Sequence, residues 1–335
     1  MGVVVTVPRP VRLGGVAGHM FRGGPVMTEL PGPVIAVVGP TAAGKSALSL
    51  ALAHSRGAEV VNADSMQLYR GMDIGTAKLT PDERENVPHH VLDIWDVTEP
   101  ASVAVYQRLA RAAIDDILAR GRVPLLVGGS GLYVRAVLEE FEFPGTDPAL
   151  RAELEAELAA LGPEALHARL TTLDPVAAER ILPTNGRRIV RALEVIALTG
   201  EPFAAALPEQ PRPCYRSLQL GVDLDAGLLD ERIATRVDHM WAAGLVNEVR
   251  HLETRGLRDG LTASRALGYQ QVLRFLAGGC TEEEAHAETI RATRRFVRRQ
   301  RSWFRRDSRV SWLDAAAPDF VQNARGAAEA FLTMS

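Results

Sequence analysis

A glycine-rich segment at residues 39–46 has the residue types that hold a phosphate chain, and it follows the apolar run at residues 33–38. Gly39 and Gly44 let the backbone bend so that successive N–H groups point inward at the positive end of the next helix. Lys45 adds a cation, and Ser46 adds a hydroxyl that suits Mg²⁺. A glycine turn that only joins a strand to a helix is the alternative. The complete pattern after an apolar run favours a P-loop.

A cluster of polar residues at 64–78 follows a short segment, residues 59–62, that we predict to be a strand. Because the carboxyl ends of parallel strands line the ligand crevice, we expect Asp64 beside the P-loop, where its carboxylate can accept a proton. Capping of the next turn and positioning of Mg²⁺ are equally open roles for Asp64. A second glycine-rich turn, residues 128–131, follows a predicted strand at 123–127 and should reach the same edge.

Two predicted helices each carry a pair of arginines one turn apart. Arg187 and Arg191 could straddle a phosphate backbone, although an ion pair between Arg191 and Glu194 is the more favoured interpretation of that helix by itself. Arg232 and Arg236 could neutralise a leaving phosphate or could pair with neighbouring acidic residues. The sequence leaves both alternatives open.

A third basic segment lies near the carboxyl terminus. Residues 291–306 contain eight arginines and no acidic residue, although the formal net charge of the chain is only −3. The segment predicts a helix that docks Phe296, Gln300 and Trp303 on an apolar surface and displays its arginines outward. Since like charges repel one another, uncompensated arginines favour a nucleic-acid partner.

Composition and patterning predict an α/β fold with a P-loop NTPase-like parallel sheet flanked by helices and a small all-helical insertion. We predict a disordered extension at 1–30, the α/β core with its C-terminal helices at 31–145 and 205–320, and the insertion at 146–204. Cys214 and Cys280 are far apart without metal-ligand spacing, and no apolar run reaches membrane length. A cytoplasmic protein without a membrane partner is expected.

Several separated motifs resemble those of bacterial tRNA dimethylallyltransferases, also called tRNA isopentenyltransferases. They occur in the family's order at residues 39–46, 64–78, 88–90, 128–133, 185–194 and 263–269, and the likeness spans roughly residues 33–313. The resemblance implies transfer of a dimethylallyl group from dimethylallyl pyrophosphate to the exocyclic amine of the tRNA adenosine immediately 3′ of the anticodon. Pyrophosphate is released. The resemblance also implies Mg²⁺ as cofactor and the tRNA anticodon stem-loop as partner, and we expect a monomer.

The same resemblance assigns roles to individual residues. Asp64 is implied to be the general base, Thr41 to hydrogen-bond the departing oxygen, and Arg236 to offset pyrophosphate charge, with Ser46 also at the metal. Pyrophosphate contact is implied for Gly39, Pro40, Thr41, Ala42, Ala43, Gly44, Lys45 and Ser46. Contact with tRNA is implied for Asp64, Ser65, Met66, Gln67, Ser130, Arg187, Arg188 and Arg191.

Three rival functions share some of these features. An isopentenyltransferase acting on free adenine nucleotides would need the P-loop and the base but no polynucleotide surface. A small-molecule kinase would bind ATP in the same loop and use Asp64 to activate a hydroxyl. A nonenzymatic RNA-binding nucleotide switch would leave the 64–78 segment unexplained. The basic segments and the insertion favour a tRNA substrate.

Overall fold

The computed structural model describes residues 30–141, 143–203 and 212–334. Within them, one sheet of six parallel strands has the order β3-β2-β4-β1-β5-β6. The strands are β1 Pro33–Val38, β2 Glu59–Asn62, β3 His89–His90, β4 Pro124–Gly128, β5 Arg216–Asp223 and β6 Val310–Asp314. Because all strands are parallel, their carboxyl ends lie at one edge of the sheet, and the chain segments that follow them meet there.

Strand β1 is central and is buried on both faces. Its side chains alternate, so that Val34, Ala36 and Val38 enter one core while Ile35 and Val37 enter the other. This alternation is the period of two that an extended strand imposes. A continuous apolar run without polar alternation is therefore what a strand covered on both faces requires.

Helices cover both faces of the sheet. The helices of the α/β core are α1 Lys45–Arg56, α2 Val103–Ala119, α3 Gly131–Leu138, α8 Ala226–Ala242, α9 Leu245–Glu253, α10 Tyr269–Leu276, α11 Glu282–Phe304 and α12 Phe320–Thr333. One core includes residues of α2, α3, α9 and α10, and the other includes residues of α1, α8 and α12. Helix α11 contributes to both, through Phe304 to the first and Val297 to the second. It thus ties the two layers together.

A separate cluster of helices lies between α3 and β5. It comprises α4 Pro148–Leu161, α5 Pro163–Leu173, α6 Pro175–Arg180 and α7 Gly186–Thr199. Asp147 caps α4 and Asp174 caps α6, each followed by a proline in the first turn, which is the expected chemistry of a helix start. These helices bury their own apolar core, with Leu170 and Ile189 fully enclosed.

Much of the predicted organisation is confirmed. The α/β fold with its parallel sheet is present, the strand at residues 59–62 has the predicted bounds, and the helix that begins at Lys45 is α1. Strands β3 and β6 and helix α12 were not predicted. The extension predicted at residues 1–30 lies outside the described residues, except for Leu30. No helix in the described part of the chain combines the length and apolar character that crossing a membrane would need.

The carboxyl edge is closely packed at Gly128, the last residue of β4. A Cβ atom at this position would stand 2.2 Å from the backbone carbonyl carbon and oxygen of Ala63. Real Cβ atoms do not approach backbone so closely, so β4 and the segment after β2 can meet here only with glycine. Gly145 is different, because a Cβ there would have no neighbour within 4 Å.

We therefore expect Gly128→Ala to lower the free energy of unfolding by about 3 kcal/mol or more, because a backbone clash relaxes less easily than a side-chain clash. Gly145→Ala is the matched control and should change it by less than about 0.5 kcal/mol. Urea unfolding followed by circular dichroism measures both. Equal stability of the two variants would contradict the packing described at this edge.

Candidate active site

Three segments meet at the carboxyl edge of the sheet. The P-loop, residues 39–46, follows β1, the segment beginning at Ala63 follows β2, and the glycine-rich turn before α3 follows β4. Beside them lies a cleft of about 930 Å³, whose other wall is formed by α8 and by residues 73–80. The predicted convergence of the two glycine-rich turns and Asp64 at one edge is what the topology produces.

The P-loop has the backbone geometry that its glycines were expected to allow. Gly39 has φ +135° and Gly44 has φ +106°, and a Cβ at Gly39 would stand 2.2 Å from the Val222 carbonyl oxygen. Ala42 is also left-handed at φ +66°, which costs a residue with a Cβ about 1–2 kcal/mol. Lys45 opens α1 and donates from Nζ to the Pro40 carbonyl at 2.7 Å. The lysine therefore folds back over its own loop, at the place where a phosphate chain would lie.

Asp64 both holds a turn and presents a free oxygen. Its Oδ1 accepts a hydrogen bond from the Met66 N–H at 2.9 Å, so the turn-capping interpretation is correct for that oxygen. Asn62 fixes the Asp64 backbone, accepting from its N–H at 2.9 Å and donating to its carbonyl at 3.0 Å. No hydrogen bond reaches Asp64 Oδ2 from the described residues. That second oxygen is available in the cleft as a proton acceptor.

Two cations face the Asp64 carboxylate across the cleft. Burial lowers the pKa of Lys45 from 10.5 to about 8; the Asp64 charge opposes this shift, and the Arg236 charge adds to it. Burial also lowers the pKa of Arg236, again opposed by Asp64. The Arg236 Nε is buried without a hydrogen-bond partner, while Nη2 donates to the Thr76 carbonyl at 3.2 Å. Among the described residues, Asp64 is the one carboxylate whose charge acts on both cations, so an anion bound between Lys45 and Arg236 would meet uncompensated positive charge.

Helix α8 positions the Arg236 side chain. The helix is capped by Asp225 and buries Ile233 and Val237, and the arginines on its adjoining face border the cleft. Arg232 lies closer to the P-loop, with its Nη1 4.0 Å from where a Cβ of Gly44 would be. The sequence-predicted pair therefore lies opposite the P-loop.

Residues 73–78 form part of the cleft wall, and Glu248 holds their backbone in place. Glu248 accepts hydrogen bonds from the N–H groups of Asp73, Ile74 and Gly75 at 3.2, 2.7 and 3.2 Å. The Tyr269 hydroxyl donates to the same carboxylate at 2.5 Å. Burial, and after it the negative charge of Glu248, raise the pKa of Tyr269 well above its usual value. This wall has a fixed backbone.

Lys78 is buried in the same segment and does not serve as a free cation. Its Nζ donates to Asp73 and Asp93 carboxylates at 2.6 and 2.5 Å and to the Tyr69 carbonyl at 2.9 Å. Nothing in its local sequence indicated this role for Lys78. Its contacts assign it to holding residues 73–93 in place.

The second glycine-rich turn contacts both the P-loop and the Asp64 segment. Ser130 Oγ accepts from the Ser65 N–H and donates to Ser65 Oγ, both at 3.2 Å. A Cβ on Gly129 would be 2.4 Å from Gln300 Nε2 and 3.1 Å from the Gly39 carbonyl oxygen. Of the residues assigned to tRNA contact, Ser65, Met66, Gln67 and Ser130 thus surround Asp64, while Arg187 and Arg188 lie on α7 in the separate helical cluster.

Arg191 differs from its neighbours on α7. Its guanidinium pairs with Glu194 at 2.6 Å and donates to the carbonyls of Gly145 and Pro144 at 3.1 and 2.7 Å. The ion-pair alternative is therefore confirmed for Arg191, which ties α7 to the segment that enters the helical cluster. Arg187 and Arg188 are exposed and have no acidic partner among the described residues.

The carboxyl-terminal arginines are less free than predicted. Glu288 pairs with Arg291 and Arg295, Asp223 pairs with Arg301 and Arg305, and Asp230 lies 3.6 Å from Arg294. The expectation of eight uncompensated charges is therefore wrong, because acidic residues outside the run reach it in space. Arg298, Arg299 and Arg306 keep no acidic partner within the described residues.

The predicted docking face of this helix also needs correction. Gln300 is buried, but Trp303 is 43% exposed and Phe296 is only partly buried. Phe304, one position further along, is the buried aromatic residue because it points into the first core. One edge of Trp303 still reaches the second glycine turn, since a Cβ at Gly131 would stand 2.0 Å from its Nε1.

The donor chemistry of the site fits Mg²⁺ held chiefly by a pyrophosphate. The Ser46 hydroxyl lies on the first turn of α1 and borders the cleft. The described residues contain no group of three or more His, Cys, Asp or Glu side chains that could hold a metal by themselves. Since Mg²⁺ commonly takes only one or two protein oxygens and completes its shell with water and phosphate, the Ser46 hydroxyl is compatible with such an ion.

Comparisons with known proteins identify the family. The family described as IPP transferase matches residues 67–307, and that described as isopentenyl transferase matches residues 32–100. A tRNA dimethylallyltransferase of Salinispora arenicola is 77% identical over 299 residues, covering 89% of this chain and 87% of the relative. The chain belongs to the tRNA dimethylallyltransferase family. It is accordingly a transferase, and the resemblance drawn from its motifs is confirmed.

Solved structures of this family share the fold. The tRNA isopentenylpyrophosphate transferase of Bacillus halodurans has a TM-score of 0.67 at 42% identity, covering 90% of this chain and 97% of that one. A eukaryotic dimethylallyltransferase described as acting on tRNA has a TM-score of 0.78 at 27% identity, covering 90% of this chain and 79% of the other. The tRNA dimethylallyltransferase fold therefore extends over most of the described residues.

The lowered pKa of Lys45 predicts how this transferase site responds to pH. Lys45 must be protonated to attract an anion. The affinity of the site for a diphosphate is therefore highest below pH 8 and falls as the pH rises through about 8. Above that value we expect the Kd of a nonreactive thiolodiphosphate analogue of dimethylallyl pyrophosphate to rise by about tenfold per pH unit. Calorimetry between pH 8 and 10 measures it, because the terminal phosphate of the analogue, which titrates near neutral pH, is ionised over that range.

Lys45→Ala is the control and should bind weakly with little pH dependence over this range. A wild-type affinity that stays constant up to pH 9.5 would contradict the assignment of Lys45 as the titrating cation.

Proposed function

We propose that the protein transfers the dimethylallyl group of dimethylallyl pyrophosphate to the exocyclic amine of the tRNA adenosine immediately 3′ of the anticodon. The observation that carries this proposal is the pairing of two desolvated cations, Lys45 and Arg236, with one carboxylate, Asp64, whose Oδ2 is free. The cations suit a pyrophosphate, and the free oxygen suits a proton from the attacking amine. Family membership supports the same reaction.

In the proposed reaction the adenine nitrogen attacks the allylic carbon, forming a carbon–nitrogen bond while the carbon–oxygen bond breaks. The bonding electron pair leaves with pyrophosphate, whose growing charge faces Lys45 and the P-loop amides on one side and Arg236 on the other. The Thr41 side chain borders the cleft beside this leaving group and would hydrogen-bond the departing oxygen. Mg²⁺, when bound at Ser46, supplies further positive charge to the pyrophosphate oxygens.

The amine proton would pass to Asp64 Oδ2. A neutral exocyclic amine is a poor acid until it attacks, so the base acts as the bond forms and not before it. Asp64 Oδ1 stays bound to the Met66 N–H during this step, which keeps the carboxylate oriented. One oxygen therefore orients the base while the other takes the proton.

The adenosine must leave its stack in the anticodon loop to reach Asp64, at a cost of a few kcal/mol. Ser65, Met66, Gln67 and Ser130 surround Asp64 and are proposed to receive the extruded base and its neighbours. Arg187 and Arg188 are exposed, have no acidic partner in the part of the chain that the structure describes, and are proposed to hold the RNA backbone. The structure gives Arg191 a supporting role instead, because its guanidinium is bound to Glu194 and to backbone carbonyls.

We propose that the enzyme works as a cytoplasmic monomer, since its tRNA substrate is found there and both cysteines are free. A kinase using ATP in the same P-loop is the second candidate. It is less well supported, because Arg187 and Arg188 would have no partner in phosphoryl transfer to a small acceptor.

Replacement of Asp64 tests its role as general base separately from the binding of the pyrophosphate. We expect Asp64→Asn to lower the single-turnover rate of transfer by about 10²- to 10⁴-fold, because the amide cannot accept the proton. Mass spectrometry of anticodon stem-loop RNA, after incubation with Mg²⁺ and dimethylallyl pyrophosphate, follows the five-carbon mass gain. Binding of the thiolodiphosphate analogue at pH 6.5 should persist in this variant.

Parallel reactions with AMP and with ATP plus a hydroxyl acceptor test the rival functions. Mass gain on AMP but not on RNA would transfer the assignment to free-nucleotide enzymes. Phosphoryl transfer without any prenyl transfer would establish the kinase.

The exposed arginines of α7 predict the salt dependence of RNA binding. Each phosphate contact contributes about 0.7–0.9 to the slope of log affinity against log salt, so Arg187→Ala with Arg188→Ala should reduce that slope by about 1.5. Filter binding of stem-loop RNA at several KCl concentrations measures it. Arg169→Ala, which removes an arginine already paired with Glu157 on the same helical cluster, is the control and should leave the slope unchanged. An unchanged slope in the double variant would remove α7 from the RNA interface.

A further inference from the structure

Gln300 joins the two glycine-rich turns of the site from the opposite end of the chain. Its Oε1 accepts a hydrogen bond from the Thr41 N–H at 3.0 Å, and its Nε2 donates to the Gly129 carbonyl at 2.9 Å. The residue lies on α11 and is only 6% exposed. The P-loop and the turn after β4 are therefore bridged by one side chain.

Both hydrogen bonds of Gln300 are made to residues next to groups that take part in the proposed reaction. Thr41 precedes Ala42, which is left-handed at φ +66°, so the bond to the Thr41 N–H holds the loop beside a strained residue. Gly129 precedes Ser130, whose hydroxyl accepts from the Ser65 N–H next to Asp64. A continuous series of hydrogen bonds and adjoining residues thus runs from the leaving-group side of the cleft to the base.

Only a neutral side chain with both a donor and an acceptor at this length can make the bridge. Glutamine supplies them from one planar amide, whereas glutamate lacks the donor when ionised, and methionine has no donor and only a weak sulfur acceptor. The short distance between the two residues also limits which residue types fit at position 129, because Gln300 Nε2 lies 2.4 Å from where a Cβ of Gly129 would be. The bridge therefore depends on the residue types on both sides.

We propose that Gln300 is a positioning residue for the transfer reaction, one that fixes Thr41 and the P-loop relative to Asp64. This proposal rests on the proposed function, because Gln300 positions groups that the proposed reaction uses. Gln300 touches no substrate in this account. It acts through the backbone of Thr41 and Gly129.

Gln300→Met tests the proposal, because methionine has similar length and removes both hydrogen bonds. Gln107→Met is the matched control: Gln107 is 8% exposed and also makes two hydrogen bonds to backbone, donating to the Ala136 and Phe141 carbonyls, away from the cleft. Thermal unfolding sets a temperature at which both variants are fully folded. Single-turnover transfer to stem-loop RNA, the Kd of the thiolodiphosphate analogue and the Kd of the RNA are then measured.

We expect Gln300→Met to lower the single-turnover rate by about 10- to 100-fold, the usual effect of an ångström-scale misplacement, and to weaken analogue binding. RNA affinity should match that of the wild type, and Gln107→Met should retain the wild-type rate. A Gln300→Met rate within threefold of the Gln107→Met rate would overturn the proposal. If Gln300→Met fails to fold, Gln300→Glu carries the same comparison, since it removes the donor to Gly129 at unchanged length.

Failure of the proposed function would be seen separately. A wild-type protein that transfers no prenyl group would reject the reaction, while the effect of Gln300→Met on analogue affinity would still decide whether Gln300 shapes the P-loop.

Discussion

Desolvated positive charge at the carboxyl edge of the sheet is the constraint on which the site depends. Lys45 and Arg236 both lose solvation there, and burial lowers the pKa of each, while Asp64 is the carboxylate of the described residues whose charge opposes both shifts. The fold accepts this cost because the surrounding backbone is held in place: Glu248 binds three consecutive N–H groups of the 73–75 segment. An anion entering the cleft would relieve the imbalance, which is why pyrophosphate is the ligand that the geometry suits.

Helix α11 connects this charged edge to the outer surface. Its inner face inserts Gln300 between the P-loop and the second glycine turn, and Phe304 and Val297 anchor it in the two cores. Its outer face carries Arg298 and other arginines. The same helix thus sets the inner geometry of the site and forms part of its basic exterior.

Local sequence predicted those features that depend on local chemistry. The P-loop, the strand before Asp64 and the parallel sheet follow from glycine spacing and apolar runs, and all are present. The two-residue strand β3 is too short to carry a periodic signal, so it was missed. The functional residues that were missed depend on distant contacts: Gln300 bonds Thr41 across 259 positions and Glu248 bonds Ile74 across 174. The only signal for Gln300 was its place among apolar positions of an arginine-rich helix.

Part of the pairing of the carboxyl-terminal arginines could not be predicted from local sequence, although Glu288 lies only three positions before its partner Arg291. Asp223 and Asp230 lie far from residues 291–306 in the chain, and the fold brings them close by placing α11 against α8 and beside the end of β5. The number of arginines in residues 291–306 therefore overstated the number of uncompensated positive charges on the surface of that segment. Arg191 was the opposite case, because its partner Glu194 was three positions away and the local pattern indicated the pair correctly.

The central claim is that a pyrophosphate and a base share one cleft from opposite sides. A crystal structure with the thiolodiphosphate analogue and anticodon stem-loop RNA tests it most directly. The account predicts the diphosphate within hydrogen-bonding distance of Lys45 and the P-loop amides, with the adenine amine about 3 Å from Asp64 Oδ2. A diphosphate bound outside the P-loop, or an adenine amine beyond the reach of Asp64, would contradict it.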